Sequence, residues 1–265
     1  MSLITSRSLN YCRVRRGVAL LLVLGMGCTE VSADTVRVAV ASNFMAPMQR
    51  IAAEFERRTG HNALLSSGAT GKLYAQIVNG APFDILLAAD DETPKRLVAD
   101  AAGVTGSAFT YAIGRLVLWS AQGGRVDGQG AVLREGGFRH LAIANPRTAP
   151  YGLAAVQALR SLGMHDALSA KLVQGENIAQ ALQFVASGNA ELGFVALSQL
   201  GQRDGPLQGS RWLVPATLHE PIRQDALLLR RAQEQPAALA LMRFLQSESA
   251  RAIVREAGYE LPDAK

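Results

Sequence analysis

The chain has 265 residues, 49% apolar and 18% charged, with a formal net charge of +5. That length and apolar content suit one large or two smaller globular units and exclude a disordered scaffold. Repeats at solenoid periods and low-complexity tracts are missing from it, which excludes a repeat array.

Residues 1–33 read as an export signal. Arg7, Arg13, Arg15 and Arg16 form a basic segment, "VALLLVLGMG" (18–27) is an apolar stretch short for a bilayer span, and "VSA" before Asp34 suits cleavage. The alternatives are a short membrane anchor and lipidation at Cys28, although Gly25 sits where a lipoprotein signal prefers an aliphatic residue. Without the four arginines and one glutamate of this segment the net charge falls from +5 to +2, so no nucleic-acid surface is expected. Both cysteines, Cys12 and Cys28, also lie there. The remainder therefore has no disulfide, thiolate metal site or cysteine nucleophile, as suits an oxidising compartment.

From residue 36 on, short apolar runs alternate with helix-length amphipathic segments, the pattern of an α/β protein with largely parallel sheets. The first half predicts strands at 36–42, 63–67 and 83–89, and helices at 45–60, 71–80 and 92–101, the first stopped by Gly60. The second half predicts strands at 114–121, 140–146, 191–200 and 212–216. Its helices are expected at 151–163 and 176–190, with one or two more across 235–258. No flexible linker separates the halves, so if there are two lobes the strands near 110–118 and 216–230 must join them as hinges.

"SSGATGK" (66–72) resembles a nucleotide-binding P-loop, but Ser66 replaces its first glycine and Leu73 its post-lysine hydroxyl. What it keeps, Gly68, Thr70 and Gly71, allows close backbone approach at a helix start. Three other helix starts share this character. Ser42 and Asn43 in "ASNF" can face a ligand or simply cap the next helix, and Tyr151 in "NPRTAPYG" opens a helix behind two prolines. In "QGENIAQAL" the Ile178 N–H points out along the axis, with Asn177 or Glu176 as an ordinary cap. Together the four describe an anion site made of helix N-termini, hydroxyls and backbone amides, with Lys72 and Arg147 either tuning its field or merely solvated.

Enzyme readings have less support. His61, His140, His165 and His219 lack metal-ligand spacing, no G-x-S-x-G elbow occurs, and Asp90 and Asp91 read as helix caps rather than cation ligands. An enzyme acting on an anionic substrate with Tyr151 as acid or base stays open, as does a regulator's effector domain, which would need a DNA-binding segment.

"VAVASNFMAPMQRIAAEFERRTG", "SSGATGKLYAQIVNGAPFDILLAAD", "NPRTAPYGLAAVQAL" and "GENIAQAL" resemble, in that order, the periplasmic molybdate-binding proteins of ABC importers. The likeness spans residues 35–262. It implies a two-lobed type II periplasmic binding protein, lobe one being 34–113 plus 223–265 and lobe two 114–222, with the cleft between them. It further implies a periplasmic monomer that takes molybdate, and also tungstate, to an ABC permease, without cofactor or free metal cation; another oxyanion such as sulfate is the alternative. The family's contacts fall on Ser42, Asn43, Thr70, Tyr151 and Ile178, the last through its backbone. Thr70 replaces the usual serine. Ala196 stands where one branch has a tyrosine, so Asn43 and Tyr151 are expected to supply donors instead.

Overall fold

The computed structural model describes residues 34–201 and 208–262; the expected export signal and Cys28 lie outside the described residues. β1 (Thr35–Ala41) runs through a 3₁₀ turn at Ser42–Phe44 into α1 (Met45–Thr59), which stops at Gly60 in the left-handed region at φ 74°. β2 (Asn62–Gly68), α2 (Thr70–Val78), β3 (Ile85–Leu87) and α3 (Glu92–Ala99) continue the expected alternation. β4 (Phe109–Gly114) passes into β5 (Leu116–Ser120) across Arg115 alone, followed by α4 (Val132–Glu135) and β6 (Leu141–Ala144). Next come α5 (Pro150–Ser161), α6 (His165–Leu168), β7 (Leu172–Gly175) and α7 (Ile178–Ala186). β8 (Leu192–Ala196), α8 (Leu197–Leu200), β9 (Ser210–Leu213), β10 (Ile222–Leu228), α9 (Pro236–Leu245) and α10 (Glu248–Glu256) complete the order.

Two of the boundaries that differ from the sequence expectation have a plain local cause. The strand expected at 191–200 stops at Ala196, whose N–H donates to Gln199 Oε1 (3.0 Å) as the chain turns into α8. β9 ends before Pro215, which has no N–H for a ladder. Of the one or two helices expected at the C-terminus there are two, because Ser247 Oγ accepts the Ala250 N–H (3.3 Å) and starts the second.

Two five-stranded sheets result, ordered β2-β1-β3-β10-β4 and β7-β6-β8-β5-β9. They are mixed rather than largely parallel: β1 pairs in parallel with β2 and β3, and β6 with β7 and β8, whereas β10 and β5 run antiparallel to their neighbours. The reason lies in the connections. β5 enters the second sheet straight from β4 of the first, and β10 returns to the first from β9 of the second, so each sheet receives an opposed strand from the other lobe.

The first sheet is covered on one side by α1, α9 and α10, around Phe44, Met48, Phe55 and Leu241, and on the other around Leu73, Leu86 and Leu97. The second sheet's core, around Leu118, Ile143, Leu159 and Phe194, extends to Ala41, Ala69 and Ala89 of the first lobe. Apolar packing therefore continues across the cleft floor.

Phe44 is fully buried, its ring centroid 4.5 Å from that of Tyr111 and 5.5 Å from that of Tyr259. Phe44→Ala is expected to destabilise the fold by about 3–5 kcal/mol, measured by urea unfolding, because the cavity left between two rings cannot collapse.

Candidate functional site

The parallel strands β1, β2, β6 and β7 direct their carboxyl ends at the cleft, where open α/β sheets bind ligands. After each of them a helix or helical turn begins. Ser42, Asn43, Thr70, Tyr151 and Ile178, from these four starts, all line one cavity of about 190 Å³ including its mouth. Ala196 is buried elsewhere and does not line it. Among the described residues no Lys, Arg, Asp or Glu lines the cavity.

Each start presents donors for a definite reason. Thr70 is the first residue of α2 and almost fully buried. Its Oγ1 accepts the Ala89 N–H (3.0 Å), so its single proton stays available to a further acceptor. At α7 the Asn177 side chain accepts the Ala179 and Gln180 N–H groups (3.0 and 3.1 Å). The cap thus covers the second and third amides and leaves that of Ile178, so the capping and ligand readings of this turn are compatible. Pro150 opens α5 without an N–H, which makes Tyr151 the first amide of that helix. Standing in the first turn of a helix, the main-chain N–H groups of Ser42, Asn43, Thr70, Tyr151 and Ile178 have no partner one turn back within their own helix, and no side-chain cap like that of Asn177 covers them.

The Asn43 side chain is engaged within the protein. Neither it nor Ser42 caps α1 with its side chain. The two Asn43 Nδ2 protons go inward, to Gln224 Oε1 (2.8 Å) and Tyr259 Oη (2.9 Å). Its side-chain amide is thereby used within the protein, and the main-chain N–H is the donor it can still offer. Gln224, Tyr111 and Tyr259 were not singled out from the sequence. Gln224 stands in "IRQDALLL" (222–229) between Arg223 and Asp225, so no local pattern marks it as buried.

The charged residues near the helix starts lie at the cleft mouth. Lys72 pairs with Glu176 (2.7 Å), and the Gly71 N–H donates to Thr148 O (2.9 Å), both across the cleft. Arg147 is exposed. Asp90 caps α3 through the Thr93 N–H (2.8 Å), and burial pushes its carboxyl up. Burial likewise pushes the Tyr111, Tyr151 and Tyr259 hydroxyls above the ordinary tyrosine range, so they remain neutral donors at physiological pH and poor acids or bases.

Helix starts that converge on one cavity suit a compact anion. Residues 36–260 match the family described as bacterial extracellular solute-binding protein. The chain belongs to that family. This solute-binding protein is 55% identical to the molybdate-binding protein ModA of Azotobacter vinelandii, covering 91% of this chain and 97% of that one. It is 46% identical to ModA of Rhodobacter capsulatus, covering 91% and 94%. The solved structure of the Azotobacter vinelandii periplasmic molybdate-binding protein matches with a TM-score of 0.83 at 45% identity, covering 86% of this chain and 100% of that one.

In this solute-binding protein the strand crossing sets the back of the cavity. Gly114 ends β4 opposite Ile222 of β10, and a Cβ there would lie 2.1 Å from Tyr151 Oη and 2.7 Å from Gln224 Nε2. Gly114→Ala is expected to cost about 1–3 kcal/mol in urea unfolding, since a buried ring held on both sides has no room to retreat.

Proposed function

We propose that this protein is an exported, periplasmic solute-binding protein that captures molybdate, and tungstate with it, and delivers it as a monomer to the permease of an ABC importer. It binds its ligand and releases it unchanged. The observation that carries this reading is the convergence of four helix starts on a cavity that, among the described residues, no charged side chain lines. Each helix start contributes roughly half a positive charge, so several together balance a dianion without a counter-cation or metal. The names of the relatives at 55% and 46% identity support molybdate as the anion.

In this reading the ligand is held by the Thr70 and Tyr151 hydroxyls and the main-chain amides of Ser42, Asn43, Thr70 and Ile178. The lobes are 34–113 with 223–265, and 114–222, a division supported by the crossings at Arg115 and between β9 and β10. They part to admit the anion and close over it by a hinge motion, so the closed pair of lobes is what the permease receives. Fixed N–H donors favour a fully deprotonated oxyanion, because a proton on the ligand meets a donor instead of an acceptor.

Calorimetric titration with molybdate, tungstate, sulfate and phosphate tests the reading. Saturable one-to-one binding of molybdate and tungstate is expected, and tight sulfate or phosphate binding with no molybdate response would overturn it. Thr70→Ala is expected to weaken molybdate by about 1–3 kcal/mol, read as the change in Kd, through loss of a buried donor to a charged ligand.

A further inference from the structure

Behind the cavity lies a buried carboxamide that the four helix starts do not account for. Gln224 is wholly buried on β10 at the bulge beside Asp225. Its Oε1 accepts from Asn43 Nδ2 (2.8 Å) and lies 3.1 Å from Tyr111 Oη, which also reaches Ala88 O (2.9 Å), while its Nε2 donates to Tyr151 Oη (3.2 Å). It therefore joins Asn43 of one lobe to Tyr151 of the other, and both line the cavity.

The direction of these bonds is set at a main-chain carbonyl. Asn43 O can only accept, and Tyr259 Oη donates its one proton there (2.9 Å). Tyr259 must then accept from the Asn43 side chain, which turns Nδ2 inward and requires an acceptor, Oε1, on the facing atom of Gln224. That leaves Nε2 toward Tyr151, whose oxygen becomes an acceptor on its protein side. Its single proton has Tyr259 Oη as a neighbouring acceptor, and an anion in the cavity that Tyr151 lines is the stronger one.

We infer that Gln224 is a positioning residue for the anion: by donating to Tyr151 it makes that hydroxyl present its proton to the cavity. The inference rests on the anion-binding reading above. It also accounts for the glycine at 114, since a side chain there would strike both partners of the Gln224–Tyr151 bond.

The test is calorimetric titration of the full chain with molybdate, with ligand-free thermal unfolding to check that each variant is folded. Gln224→Met, which removes the donor, is expected to weaken binding about tenfold. In a Tyr151→Phe background the same substitution is expected to change Kd by less than about twofold, because the hydroxyl it orients is gone. Gln224→Glu keeps the shape and both acceptors but reverses the bond to Tyr151, and is expected to lose about a hundredfold. If Gln224→Glu fails to fold, the Gln224→Met pair decides alone. An effect of Gln224→Met that multiplies fully with that of Tyr151→Phe overturns the inference, as a purely structural role would do this. So does unchanged affinity in a folded Gln224→Glu. A wild-type chain that binds none of molybdate, tungstate, sulfate and phosphate overturns the anion reading itself, a result distinct from either.

Discussion

The first amides of a helix have no carbonyl within that helix to receive them, and four such helix starts meet at one cavity in this protein. That unmet demand organises the rest of the site. A buried helix-start N–H is costly unless an acceptor meets it, and an anion in the cavity can serve as one. With no charged side chain on the wall, attraction for the ligand comes from aligned peptide dipoles, which do not move and cannot titrate. The residues at these starts fit the same demand. Thr70 keeps its proton because Ala89 supplies its oxygen with a donor, and Asn177 caps its neighbours without covering Ile178.

The floor and the mouth of the cleft are built differently. On the floor, buried polar groups from both lobes are tied through Gln224 on a strand that has just crossed between sheets. At the mouth the contacts are one backbone hydrogen bond, Gly71 to Thr148, and one half-exposed ion pair, Lys72 with Glu176. An exposed pair of this kind contributes about 0–1 kcal/mol, little enough for the lobes to part there while the floor stays assembled. The division suits a hinge whose axis lies along the crossing strands and whose free edge is the mouth.

Much of the fold was legible because its causes are local. The 3.6-residue periodicity of 45–60, the Gly60 stop, Pro150 opening α5 and the short apolar runs each act within a few residues, and the elements fell where they predict. The helix starts were legible for the same reason: glycine, hydroxyl and amide residues just before a helix are a local pattern. What was misjudged about the sheets depended on partners far along the chain. Half the strand pairings are antiparallel because β5 and β10 each come from the other lobe, a property of connection order that no single segment carries.

Asn43 draws the line most clearly. The sequence by itself determined that an uncharged amide side chain stands at the end of the first strand, beside a helix start suited to an anion. Only the tertiary structure decided that this side chain gives both its protons to Gln224 and Tyr259. Helix starts and stops follow from the backbone and its immediate neighbours. The direction of a buried hydrogen bond follows from whichever groups the fold brings opposite it, and for Asn43 those lie 181 and 216 residues away.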